Sequence, residues 1–175
     1  MKKTFFKYLC INIYLLIPLL SFSQAGSLDY TFPQLNITPV GSINSIAEQQ
    51  DGKIIIVGNF TSINSISIPK IARLNLDGSL DMSFNTNIGT GISGNYQLNK
   101  VVIQTDNKII LGGQFPTFNG VLKNSIVRLN SDGTIKWEFG GHDYIREYSP
   151  VIGNDGNIYI SYNGFCILNS DGNLI

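Results

Sequence analysis

A self-match at one fixed offset constrains this chain more than any other feature. Moved by 55 residues, QQDGKIIIVGNF (49–60) falls on QTDNKIILGGQF (104–115), and IARLNLDGSLDMSF (71–84) falls on IVRLNSDGTIKWEF (126–139). Across 49–84 and 104–139 there are 15 identities in 36 positions without a gap. Partial copies flank the pair. GSLDYTF (26–32) matches GSLDMSF (78–84) at an offset of 52 and reads as a repeat tail. Downstream, NDGNIYI (154–160) matches TDNKIIL (105–111) at an offset of 49, and LNSDG (129–133) recurs at 168–172 at an offset of 39. The third copy is thus shorter than the second, and the deletion falls between its two matched halves. Units that recur in this way bury their apolar faces by stacking on one another.

Each unit reads as β-structure. In the first full copy, Ile43–Gln49 is a half-alternating apolar run, Gln50-Asp51-Gly52 a turn, and Lys53–Val57 an Ile-rich strand. A polar loop spans Asn59–Pro69; Ile71–Leu76 is a third strand, Asp77-Gly78 a second turn, and Leu80–Phe84 the closing strand. Asp-Gly between short apolar runs is a strong hairpin signal, because Gly accepts the positive φ of a tight turn. Four-stranded meanders in tandem at this spacing are the pattern of a β-propeller, one blade per repeat. The expected fold class is all-β, a partial β-propeller of about three four-stranded antiparallel blades. Its parts are the tail at 26–32, repeats at 43–84 and 98–139, and a clipped repeat at 150–175.

Two resemblances sharpen this. GSLD-x-[ST]-F, DGKIIIVGNF and IARLNLDGSLDMSF resemble the delta-60 repeat of large exported bacterial propeller-like proteins. From about residue 126, RLNSDGTIKWEF, SPVIGNDGNIYIS and ILNSDGNLI resemble the repeats of PQQ-like propellers. Together they cover roughly 26–175, and what they imply is architecture. Closed propellers have about 4 to 8 blades. With about three here, and with Asn173-Leu174-Ile175 standing where the earlier copy runs on to Phe139, the chain reads as a fragment of a longer propeller.

The N-terminus reads as an address. Lys2, Lys3 and Lys7 form a positive region, Cys10–Leu20 a short apolar one, and Ser21 and Ser23 the small residues of a cleavage site before Gln24. Residues 1–23 are therefore a secretory signal peptide; the apolar run is too short for a membrane anchor. Cleavage removes Cys10 and leaves Cys166 alone, so no intrachain disulfide forms, and burial is its expected state. The mature chain keeps 9 basic and 12 acidic residues, a net charge of −3. That balance disfavours a grip on nucleic acid or on an anionic membrane surface.

No catalytic, cofactor or metal residue is assigned. The pairs Asp51-Gly52, Asp77-Gly78, Asp132-Gly133, Asp155-Gly156 and Asp171-Gly172 read as turns, since none has the spacing and later bidentate acid of a calcium loop. Arg73 and Arg128 occupy one place in successive repeats and are expected to bind a carboxylate or carbonyl between blades; Ile167 stands there in the third copy. Phe60, Phe115, Phe84 and Phe139 are expected in the core between blades, as is Trp137. His142, the sole His, lies with Asp143 and Glu147 in a charged loop, and no nucleophile motif accompanies it. GTGISG (89–94) lacks the Lys of a phosphate loop and reads as a linker. The expected role is an exported, non-catalytic scaffold that binds a glycan or protein ligand at the cell surface or outside the cell, without a cofactor. The alternatives are an enzyme-associated propeller, quinoprotein-like or polysaccharide-acting, and an envelope assembly scaffold.

Overall fold

A computed structural model describes residues 31–38, 41–68, 70–92, 94–123, 125–138, 149–161 and 165–175 of the protein. The signal segment 1–23, residues 26–30 of the repeat tail, Phe139 and the loop carrying His142, Asp143 and Glu147 lie outside these.

The turn residues set the outline. A short strand β1 (Ile37–Thr38) leads into β2 (Ile43–Glu48) and β3 (Ile54–Gly58), a hairpin of β4 (Ser62–Ile63) and β5 (Ile66–Ser67), then β6 (Ile71–Leu74) and helix α1 (Met82–Ile88). The second unit repeats this as β7 (Gln97–Ile103), β8 (Ile109–Gln114), the hairpin β9 (Thr117–Phe118) and β10 (Val121–Leu122), β11 (Ile126–Leu129) and β12 (Ile135–Glu138). The third has β13 (Ser149–Ile152), β14 (Ile158–Ser161) and β15 (Phe165–Leu168). The strands pair antiparallel into sheets ordered β2-β3-β6, β7-β8-β11-β12 and β13-β14-β15. Each is a meander, so the chain is a partial all-β propeller, as its repeats imply. The glycines of the five Asp-Gly pairs all have positive φ, between 77° and 93°.

Two local differences from the sequence expectation have clear causes. Leu80–Phe84 is not a strand in the first unit: Leu80 makes one isolated bridge to Leu74, and the chain then turns into α1. Asp81 is the reason. It has extended backbone, and its carboxylate accepts hydrogen bonds from the Ser83 and Phe84 amides, which is how an N-cap starts a helix. The second unit has Lys136 at this place, which cannot accept those bonds, and there the strand continues as β12. The stretch Asn59–Pro69 is likewise not all loop. Asn64 and Ser65, and in the next unit Asn119 and Gly120, take positive φ in succession and close the small β4–β5 and β9–β10 hairpins. Asn-Gly is the favoured pair for such a turn.

Alternation along the central strands assigns each side chain to one of two neighbours. From the first sheet, Ile55, Val57 and Ile71 point toward the second and meet Leu111, Val127 and Leu129, with Phe84 and Ile88 of α1 between the sheets. Ile56, Ala72 and Leu74 face the other way, onto Phe32, Leu35 and Ile37. The second sheet does the same: Ile110 and Ile126 leave it on the far side to meet Ile158, Ile160 and Leu168 of the third. Phe60 and Phe115 are fully buried in equivalent positions, as expected. Cys166 is half-buried beside this third cluster, and burial pushes its thiol up.

Close approaches explain two conserved features of the repeat geometry. A Cβ on Gly58 would lie 2.1 Å from the Ser42 carbonyl oxygen, and one on Gly113 would lie 2.2 Å from that of Gln97. The second strand needs glycine there because the first strand's backbone crosses it. A Cβ on Gly133 would stand 3.0 Å from the Phe84 ring, and one on Gly78 would stand 2.9 Å from the Phe32 ring. Phe32 thus lies on the first sheet as Phe84 lies on the second.

Candidate functional site

A cluster of charged residues, Lys53, Arg73 and Asp81, sits at the seam between the first two sheets. Arg73, on β6, is buried and its guanidinium is fully engaged. Its Nε donates to Asp81 Oδ2 at 3.0 Å and Nη2 lies 2.9 Å from the same oxygen. Nη1 donates to Gln49 Oε1 at 3.0 Å and to the Ser131 carbonyl of the second unit at 2.5 Å. The Phe84 ring sits under the guanidinium, 4.4 Å from Cζ to centroid. Lys53 Nζ adds a bond to Asp81 Oδ2 at 2.7 Å. Burial alone would raise the Asp81 carboxyl. The Lys53, Ser83 and Phe84 hydrogen bonds and the Arg73 charge outweigh that and hold it well below the usual carboxylate range.

A crevice of about 220 Å³ lies above this cluster, lined by Gln49, Asp51, Arg73, Asn107, Ser131 and Asp132. Its groups already serve one another across the seam. Gln49 Nε2 donates to the Ser131 carbonyl, and Gln50 bonds the Thr105 carbonyl and the Asn107 side chain. Arg73 therefore does what the sequence reading expects, binding a carboxylate and a carbonyl between blades. The turn aspartates are occupied in the same way: Asp51, Asp77, Asp106, Asp132 and Asp155 each accept the amide two residues on, at 2.9 to 3.2 Å. Among the described residues, no three acidic, His or Cys side chains come together as a metal-ligand set.

A second concavity is built differently. The first strands of the three sheets, β2, β7 and β13, gather along one groove of about 420 Å³. Side chains tie β2 to β7: Asn44 Nδ2 donates to the Leu98 carbonyl at 3.0 Å, and Ser45 Oγ accepts the Val101 amide at 3.3 Å. Ile46, Ala47 and Glu48 line it from β2, Lys100 to Ile103 from β7, and Val151 and Ile152 from β13. Ile46 is 61% exposed and Val151 55% exposed, so the lining presents aliphatic surface to solvent with a carboxylate and an ammonium beside it. Sequence reasoning names none of these residues. Its only signal is the imperfect alternation of Ile43–Gln49, where apolar side chains leave the buried face.

Comparison with known proteins agrees with the fold. The family model described as "Domain of unknown function (DUF5122) beta-propeller" matches residues 49–84 and 104–135. No curated protein matches the chain. Among solved structures, virginiamycin B lyase from Staphylococcus aureus is similar in two forms. A catalytically inactive variant with quinupristin superposes with a TM-score of 0.50, and the selenomethionine-substituted enzyme with 0.51. Each is 19% identical, and each match covers 81% of this chain but 43% of the lyase. The chain thus spans less than half the length of these neighbours. At that identity the likeness speaks for a propeller fold and for nothing finer.

Proposed function

We propose that the protein is an exported, non-catalytic repeat scaffold that holds an extended segment of a protein ligand in the groove between β2, β7 and β13. The lining of that groove carries the reading. Its exposed aliphatic side chains, with Glu48 and Lys100 alongside, suit a chain of alternating apolar residues better than a sugar, for which the described lining offers no aromatic ring to stack on. Arg73, Asp81 and Lys53 are committed to one seam. Export rests on the pattern of residues 1–23. On this reading the chain is of the delta-60 kind up to about residue 126 and PQQ-like from there on, the shorter offset of 39 between the LNSDG copies supporting the change.

The test is a paired screen of the purified protein on a peptide array and a glycan array, repeated with Ile46→Asp and Lys100→Glu. Ile46 is exposed, so its replacement leaves folding intact. Peptide binding that both variants weaken by about tenfold, or about 1.4 kcal/mol, is the expected result. Binding to glycans alone moves the ligand class, and binding to neither sinks the proposal.

A further inference from the structure

The two small hairpins hold the chain in the same way. In the first unit the Asn64 amide donates to the Asn36 carbonyl at 2.8 Å, and the Asn36 amide donates back to Asn64 Oδ1 at 2.9 Å. In the second unit, 55 positions on, the Asn119 amide donates to the Gly91 carbonyl at 2.8 Å, and the Gly91 amide donates back to Asn119 Oδ1 at 2.7 Å. Each asparagine thus clips a hairpin tip to the segment that enters its unit. Thr90 Oγ1 adds a second donor to Asn119 Oδ1 at 3.3 Å. The clips differ in the residue that follows, Ser65 in the first and Gly120 in the second. Gly120 is exposed, and a Cβ added to it would meet nothing within 4 Å.

We propose that Asn119–Gly120 is a site of spontaneous covalent modification, conversion of the asparagine to aspartate and isoaspartate, which opens the second clip and leaves the first closed. The reaction is intramolecular, with water as its one co-reactant. The Gly120 backbone nitrogen attacks Asn119 Cγ and loses its proton to solvent, so a new N–C bond closes a five-membered succinimide. The Cγ–Nδ2 bond breaks, and the nitrogen takes up a proton and leaves as ammonia. Water then adds to one ring carbonyl and opens the ring, giving aspartate from one carbonyl and isoaspartate from the other. Two features of the site favour the first step. Glycine has no side chain to shield the attacking nitrogen. Oδ1, which gathers negative charge as that nitrogen adds, already accepts the Gly91 amide and the Thr90 hydroxyl, the arrangement that stabilises an oxyanion. Aspartate keeps an acceptor for the Gly91 amide. Isoaspartate carries the main chain through one more carbon, and a two-residue turn has no slack for it, so the reciprocal pair with Gly91 is lost.

Folded protein held at mildly alkaline pH, sampled over days and mapped by peptide mass spectrometry, reads the conversion. The expected result is a gain of about 1 Da in the peptide carrying Asn119, split into two chromatographic forms, with no gain in the peptide carrying Asn64. Gly120→Ser should slow it by about tenfold. The first unit carries Ser65 at that place with a φ of 65°, so the variant keeps the turn. Thr90→Val, which removes one donor to Oδ1, should slow it by about threefold. In the converted protein the Gly91 amide should exchange with deuterium about tenfold faster. Conversion in urea with none in the folded protein overturns the proposal, because the hairpin then shields the pair. So does an equal gain at Asn64, or a rate that neither Gly120→Ser nor Thr90→Val changes. None of these residues lines the groove, so the outcome is independent of peptide binding there.

Discussion

The first seam joins sheets one and two through a buried ion cluster; the second joins sheets two and three through a more exposed one. Arg73 meets Asp81, a carboxylate that is 6% exposed, and Arg128 meets Asp106, one that is 45% exposed, at 3.3 Å. Gln49 is held at both ends, by Arg73 and by Ser131. Gln104 keeps the matching bond to the Ser170 carbonyl, but its Oε1 is buried without a partner. One substitution accounts for the first of these differences. Lys136 replaces Asp81, so the second unit loses the carboxylate between strand and arginine and the helix cap with it. The repeat therefore conserves the apolar stacking and varies the polar clamp, which suits a stack whose members must all fit but need not hold equally hard.

The largest expected effect is that of Phe84→Ala. Phe84 is fully buried, packs under Arg73 and faces Gly133, and its loss should cost about 3–5 kcal/mol in urea unfolding. Arg73→Ala follows at about 3 kcal/mol, because it removes one of the two cations on the buried Asp81 carboxylate, leaving Lys53 alone, and takes from Gln49 Oε1 its donor. Arg128→Ala should cost less, since Asp106 keeps solvent and Lys108. Equal losses at the two arginines would dissolve the distinction between the seams.

Acid sharpens it. The folded Asp81 holds its proton less tightly than the unfolded chain does. Its contribution is therefore complete above the unfolded value of about 3.9 and is lost as pH falls below that. Asp81→Asn keeps a good helix cap but removes the charge. Unfolding followed between pH 7 and pH 2 should show a shallower acid limb in Asp81→Asn than in wild type. Gly133→Ala, which presses on the Phe84 ring at a φ of 93°, should cost about 1–2 kcal/mol by thermal melting. Asp106→Asn should have the smallest effect, within about 1 kcal/mol, because a half-exposed pair is screened by water.

Much of this architecture is legible in the chain. The 55-residue offset and the Asp-Gly turns define three meanders and their order, because turn chemistry and strand alternation are local properties. Arg73 is legible as a clamp because it recurs as Arg128. The closing strand of the first unit is not, since Leu80–Phe84 matches Ile135–Phe139 in the repeat alignment, and the Asp81 cap alone turns that stretch into a helix. The small hairpins escape notice because strands of two residues carry no periodicity.

Sequence alone determines which residues face which neighbour, since a period of two leaves no choice once the turns are placed. It equally determines that the third unit lacks the clamp, with Gly153 and Ile167 in the decisive positions. Tertiary structure decides the rest. The groove gathers Ile46, Lys100 and Val151 from three units, the first and last of these residues 105 positions apart in the chain, and the seam brings Arg73 against the Ser131 carbonyl of the next unit. Both depend on how the sheets stack, a long-range geometry that no local pattern of residues records.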